Sequence, residues 1–390
     1  MPSPDPRALR PGSQTRVKAR AIERASAILD IDLDAIAANY KLLTERLSPG
    51  TRCAAVVKAD AYGLGVEEVV PVLARAGCKT FFVATIDEGL VLRALLPRAQ
   101  IAVLNGLVMG APADFAKAAL LPVLNDLEQV RQWHSYAAKR GGTPAMLHID
   151  TGLARLGLPP KELKQLGREP ELLQGFKLAL ILSHLACAGE PAHPMNLEQL
   201  NQFRAALRLL PQAPASLASS SAIFLGADFH FDMVRAGAAL YGVNPLPGRP
   251  NGMKPVLRLK AKILQVQDVD RGQGVGYGAA HRMDRPGRVA TVALGYADGW
   301  LRSSSQRGTA RIAGHPAPVI GRISMDLLTL DVTNIDPQLA RPGAYADLLD
   351  EHYGVDDAAF AAGTIGYEVL TALGRRCLRL YRGGGTRRHA

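Results

Sequence analysis

The chain has only four cysteines in 390 residues, Cys53, Cys78, Cys187 and Cys377, and no two of them form a CxxC pair. That spacing excludes a zinc ribbon or a dense disulfide framework and suits small core residues in a reducing compartment. Aromatic residues are scarce at 5%, and no basic stretch is studded with them. The formal charge of +11 therefore does not read as a nucleic-acid footprint. Part of the excess sits at the ends, in Arg7, Arg10, Arg16, Lys18, Arg20 and Arg24 and in Arg382, Arg387 and Arg388, where it serves solubility or attracts small anions. No apolar run approaches the roughly 18 residues of a membrane span, and Met1 to Ser26 has no signal-peptide core. These absences predict a cytoplasmic protein with a flexible basic leader over residues 1–26, no resident metal, and no nucleic-acid or membrane partner.

What is present is apolar material in short pieces. Hydrophobic residues make up 48% of the chain, and eight runs stand out: CAAVVK from Cys53, TFFVAT from Thr80, IAVLNG from Ile101, LPVLND from Leu121, AMLHID from Ala145, LALILSH from Leu178, ASLASSS from Ala215 and FDMVRAG from Phe231. Each is continuous rather than alternating, as parallel strands covered on both faces require. Helix-like segments lie between them, at residues 66–76, 87–96, 126–139 and 196–210, several opened by Asp or Asn. A doubly wound sheet shares this pattern, but eight β-then-α units point to a (β/α)8 barrel over residues 27–252.

After Pro245 a Pro/Gly cluster leads into LRLKAKILQVQDV, which alternates polar and apolar as antiparallel strands do. Short glycine-punctuated strands follow, which predicts a β domain over 253–382 and a disordered tail over 383–390. The segment AILDIDLDAIAANYKLL alternates before turning helical, so its first part can supply a strand to that β domain.

A barrel builds its active site at the C-terminal strand ends. There the sequence places Lys58, then His148, Asp150 and Arg155, then His184, Ser219 to Ser221 and Arg235. Lys58 alone is equally a rim lysine with its stem on apolar surface. In a partly desolvated pocket it would instead have a lowered pKa and form a Schiff base with an aldehyde. The serines and Gly237, opening an apparent helix, would suit a phosphate, although a plain loop explains them as well.

Taken together, AVVKADAYGLG, IDTGLARLG, SHLACAGE, VRAGAALYG, LGYADGW, GRISMD and GTIGYEVLTALG resemble the alanine racemases, a family of pyridoxal-phosphate enzymes, from about Ile28 to Tyr381 and across both domains. The resemblance implies that Lys58 carries pyridoxal 5'-phosphate covalently. Tyr62, Ser220, the backbone at Gly237 and Ala238, and Tyr367 would hold the phosphate. His184 would lie against the ring, Arg235 would donate to its nitrogen, and Arg155 would reach the phenolic oxygen and the substrate carboxylate. A guanidinium keeps its protons, so the ring nitrogen would stay unprotonated and the ring a weaker electron sink, which favours reprotonation over transamination. The second base would be Tyr296, acting in the other subunit of a head-to-tail homodimer. Met325, again from the other subunit, would hold the substrate carboxylate through its backbone N–H, and Tyr277 would flank the entrance. An unperturbed tyrosine has a pKa of about 10, so cationic neighbours would have to favour the phenolate.

Two positions depart from the family pattern. Leu64 replaces a common histidine, a matter of local packing. His148 stands where many members carry a carbamylated lysine that orients the arginine matching Arg155. Histidine cannot form that carbamate, so chloride is the expected replacement, with another carboxylate or His148 itself as alternatives. A fold-related decarboxylase would pair the ring with a carboxylate and present a Cys-Asp motif where this chain has Arg235 and SMD. A pyridoxal-phosphate carrier would lack the β domain. Racemisation of alanine, supplying D-alanine for peptidoglycan, is the function implied. Serine or broad-specificity racemases share most of the same motifs.

Overall fold

The computed structural model describes residues 20–107 and 112–385. The expected leader and tail therefore lie largely outside the described residues. The chain divides into two compact units, one joining the chain up to Leu33 to the chain from Pro255, the other running Asp34–Lys254. Strand β1 (Ala27–Asp32) belongs to the first and is followed at once by the helix Leu33–Glu45.

The second unit holds all eight expected barrel strands: β2 (Arg52–Val56), β3 (Thr80–Val83), β4 (Gln100–Val103), β5 (Leu121–Leu124), β6 (Ala145–His148), β7 (Leu178–Leu182), β8 (Ala215–Ser216) and β9 (Met233–Ala236). They pair in parallel in the order β8-β7-β6-β5-β4-β3-β2-β9. A bridge between Ser219 and Arg235, with Arg235 N–H donating to Ala218 O at 2.9 Å, nearly closes the ring. Every residue of β3, β5, β6 and β9 is buried, which is why these runs are continuously apolar. Ala54, Phe82, Ala102, Val123, Met146, Leu180, Leu182 and Met233 pack together as one cluster from across the ring. The barrel is thus a filled core whose rim carries the chemistry.

The first unit is antiparallel apart from the parallel pair β1–β18. Its strands are β10 (Leu257–Val269), β11 (Gly274–Val275), β12 (His281–Arg282), β13 (Gly287–Val292), β14 (Thr309–Ile312), β15 (His315–Ile320), β16 (Leu328–Asp331), β17 (Tyr345–Leu349) and β18 (Leu378–Arg382). The long β10 shifts register between Ile263 and Gln265. Its first half lies between β17 and β1, its second half against β13. No helix among the described residues is long and apolar enough to cross a membrane.

Candidate active site

β2 ends at Val56, Val57 still donates to Phe82 O at 2.9 Å, and the chain then turns left-handed. Ala59, Asp60, Ala61 and Tyr62 have φ values of 53, 56, 54 and 55°. For L residues this conformation costs about 1–2 kcal/mol each, so other contacts must hold it. Glu88 Oε1 accepts the Ala59 N–H at 2.6 Å, and Asp60 Oδ1 accepts the Val66 N–H at 2.7 Å. Ala61 and Leu64 are fully buried beneath the turn, so Leu64 does act in local packing. Glu88 also closes a capping box with Thr85 at the start of the helix Ile86–Leu95. One carboxylate thus ties the helix after β3 to the turn after β2. Lys58 opens that turn, half-buried. Burial lowers its pKa below the usual lysine range, the Arg155 charge adds to this, and Glu88 opposes it.

Arg235, on β9, is buried at 4% exposure. It donates to Ser216 O at 2.9 Å, Ser216 Oγ at 2.6 Å and Ser183 O at 2.5 Å. Each of these acceptors is uncharged, and burial pulls the guanidinium down to about 10. His184 Nδ1 lies 3.4 Å from Arg235 Nη2, and because arginine only donates, Nδ1 accepts and the proton sits on Nε2. Burial first, then the charges of Arg235 and Arg155, hold His184 at about 3. Gln199, fully buried on the helix Met195–Leu207, fixes this corner by donating to His184 O at 2.9 Å and to Thr151 Oγ1 at 3.2 Å.

The loop after β6 carries Arg155. Asp150 Oδ1 accepts the N–H groups of Gly152, Leu153 and Ala154, and Leu158 N–H returns to His148 O at 2.8 Å. None of the ion pairs among the described residues involves Arg155. His148 is buried at the end of β6, with Nδ1 2.8 Å from Asn125 Oδ1.

A polar cradle lies beside β9. Ser220 Oγ accepts the N–H of Gly237 at 2.9 Å and of Ala239 at 3.3 Å. A Cβ added at Gly237 would stand 2.6 Å from the Tyr62 hydroxyl oxygen, so only glycine leaves this space open. The Tyr62 ring packs at 4.7 Å on that of Tyr241, whose hydroxyl donates to Val56 O at 3.0 Å. Two hydroxyls converging on a glycine and the backbone of Ala238 fit a phosphate group. The helix expected from Gly237 is only the 3-10 segment Ala238–Tyr241, because Gly242 takes a left-handed φ of 85° and ends it.

The remaining expected residues belong to the β unit. Tyr296 N–H donates to Ser324 O at 3.1 Å and Ala297 N–H to Met325 O at 2.9 Å, so Tyr296 and Met325 are neighbours. Both side chains are exposed, at 43% and 54%. Gly276 and Gly278 pack on Arg322, which brings Tyr277, 73% exposed, to the same region. Behind them Asp298 is buried, accepting Gly295 N–H at 2.9 Å and pairing with Arg376 at 3.1 Å. Tyr367 lies on the helix Gly366–Ala372 and is partly exposed. Sequence reasoning missed Glu88, Asn125, Ser216 and Tyr241. Asn125 follows β5 directly and could have been found by the strand-end rule, whereas Glu88 shows only as a capping-box residue.

Family comparison agrees with this architecture. The model of the alanine racemase N-terminal domain matches residues 31–245, and that of the C-terminal domain matches residues 256–381. An alanine racemase of Rhodospirillum rubrum is 50% identical over 367 residues, covering 94% of this chain and 98% of that relative. A catabolic alanine racemase of Mesorhizobium japonicum is 46% identical, covering 92% of this chain and 94% of its own. The solved structure of alanine racemase from Bartonella henselae, with covalently bound pyridoxal phosphate, superposes with a TM-score of 0.89 at 41% identity, covering 92% of this chain and all of that one. Matched in both domains and over nearly its whole length, the chain belongs to the alanine racemase family.

Proposed function

We propose that this enzyme interconverts L- and D-alanine with pyridoxal 5'-phosphate by two bases, Lys58 on one face of the substrate and Tyr296 of the partner subunit on the other. The observation that carries the reading is the partly buried, pKa-lowered Lys58 at the barrel rim, beside a buried arginine bonded only to uncharged acceptors and a hydroxyl cradle closed by Gly237. Bound there, the cofactor supplies the electron sink that acidifies the Cα–H of an amino acid.

The chain's own residues do the rest. Tyr62, Ser220, Tyr367 and the backbone at Gly237 and Ala238 hold the phosphate. Lys58 is deprotonated more readily than a solvated lysine, which suits it both to link to the aldehyde and to move a proton at Cα. Arg235 donates to the ring nitrogen without surrendering a proton, and His184, uncharged at neutral pH, packs against the ring without adding charge. Arg155 and the backbone N–H of Met325 of the partner subunit bind the carboxylate, while Tyr277 narrows the entrance. The enzyme is a cytoplasmic homodimer with shared sites, supplying D-alanine for peptidoglycan.

The test is racemisation of a panel of L-amino acids followed by circular dichroism, for wild type, Lys58→Ala and Tyr296→Phe. Alanine should turn over fastest, Lys58→Ala should abolish the reaction, and Tyr296→Phe should slow it by about 10²–10⁴-fold, the usual contribution of a positioned acid or base. Unimpaired alanine racemisation by Lys58→Ala would sink the assignment.

A further inference from the structure

Two loops of the β unit meet where Tyr296 and Met325 stand. In the first, Asp298 Oδ2 accepts the Gly295 N–H at 2.9 Å and folds Tyr296–Asp298 into a 3-10 turn. In the second, Ser324 Oγ accepts the Leu327 N–H at 3.1 Å and donates to Leu327 O at 2.8 Å, closing a turn around Met325 and Asp326. Tyr296 N–H to Ser324 O and Ala297 N–H to Met325 O join the two. A Cβ added at Gly295 would collide with Met325 O, so the two backbones touch there and only glycine fits.

A third segment reaches both loops. It follows the helix Gly366–Ala372 and packs on the first loop, where Gly374 N–H donates to Asp298 O at 2.8 Å. From it, Arg376 Nε lies 3.1 Å from Asp298 Oδ1, and Arg376 Nη1 donates to Asp326 Oδ1 at 2.7 Å. A planar guanidinium can serve two carboxylates in fixed directions at once, which a lysine ammonium cannot. The two arms differ in burial: the Asp298 side chain is 7% exposed, whereas those of Arg376 and Asp326 are 53% and 55% exposed. An exposed pair adds little to folding stability, so the Asp326 arm is not explained by stability. Asp326 does, however, follow Met325 directly. Without a cation its carboxylate would stand beside the Met325 N–H and repel an anion bound there.

We propose that Arg376 is a positioning residue that clamps the Tyr296 and Met325 loops in register through Asp298 and Asp326, and that it cancels the Asp326 charge beside the place where the substrate carboxylate binds. The inner arm fixes the turn that presents the Tyr296 phenol. The outer arm holds the Met325 turn against it and neutralises its one carboxylate. The kinetic consequence rests on the reading of Tyr296 as a base and of the Met325 N–H as a carboxylate ligand, whereas the clamp itself does not.

The experiment compares the holoenzyme with Arg376→Gln, Arg376→Lys and the double variant Arg376→Gln/Asp326→Asn. Arg376→Gln should raise KM for L-alanine by about fivefold or more, the effect of one nearby like charge at a wet surface. Removing that charge in the double variant, or restoring a cation with Arg376→Lys, should bring KM back to within about twofold of wild type. Neither restores the two-armed clamp, so kcat should stay lowered in all three variants. The α-deuterium isotope effect on kcat/KM should then rise for one enantiomer and fall for the other, because only the base on one face is displaced. Partial unfolding would shift neither isotope effect. By hydrogen exchange, the Tyr296 and Ala297 amides, which donate across the loops, should lose about tenfold in protection in Arg376→Gln while β10 is unchanged. An unchanged KM in Arg376→Gln, a raised KM that Asp326→Asn does not relieve, isotope effects that move together, or unchanged exchange at Tyr296 and Ala297 would each overturn the proposal. A wild type that does not racemise alanine would instead refute the proposed function, and the exchange data would still decide whether Arg376 joins the loops.

Discussion

Replacing Glu88 with alanine tests whether one carboxylate holds the strained turn that presents Lys58. The side chain accepts three backbone N–H groups, from Ala59 at 2.6 Å, Ala84 at 2.7 Å and Thr85 at 3.3 Å. Hydrogen bonds to a charged group contribute about 1.5–3 kcal/mol each when buried. Glu88 is only half-buried, so the lower value applies to the two short bonds and the long one adds little. Their loss amounts to about 3 kcal/mol, or roughly a hundredfold in the folding equilibrium. The turn also holds four left-handed residues at about 1–2 kcal/mol apiece, so it should relax once the Ala59 anchor is gone. Urea unfolding of Glu88→Ala should show the stability loss, and racemisation should fall by more than that of a control with an equally destabilising change far from the rim. Glu88→Gln keeps one acceptor oxygen and should lose about half as much. A stability loss below about 1 kcal/mol with full activity would refute the idea that Glu88 holds the turn.

Gly237→Ala should lower the unfolding midpoint, since the added Cβ meets the buried Tyr62 hydroxyl, and should weaken pyridoxal-phosphate affinity by about tenfold or more by filling the cradle; equilibrium dialysis of the folded variant measures the second effect. His148 and His184 have pKa values of about 3 in the folded chain against 6.5 as reference. The unfolded state therefore binds more protons between these values, and stability should rise with pH across that window. Replacing His148 with Gln should flatten the slope near pH 5 by up to one proton, about 1.4 kcal/mol per pH unit, read from urea midpoints of the cofactor-free protein. The lowered pKa of Lys58 has the same sign at alkaline pH. Cofactor-free stability should rise between its folded pKa and the reference value of 10.5, and Lys58→Met should remove that rise.

The eight barrel strands could be read directly because a strand buried on both faces must be apolar along its whole length, and that signal lies within a few residues. The alternation in β10 and the Asp126 cap of the helix Leu127–Ala137 were legible for the same reason. Lys58, His184 and Arg235 were found by asking which polar residues end those strands. By contrast, β18 at Leu378–Arg382 went unread, being half-buried from Leu378 to Tyr381 with no alternation and exposed at Arg382. The tertiary structure alone decided the partners of β1, because pairing with both β10 and β18 joins residues more than 200 positions apart. It also decided the backbone after Lys58. Only the Asp of Ala-Asp-Ala-Tyr tolerates positive φ readily, and the first of these residues is held by Glu88 from another βα unit. Which ring nitrogen of His148 carries the proton is decided the same way, by the Asn125 amide, whose nitrogen donates to Val123 O two residues back and to Leu104 O after the neighbouring strand and so leaves its oxygen toward Nδ1. Periodicity and capping are properties of a short window of chain. Strain, register and protonation depend on which atoms the completed fold brings into contact.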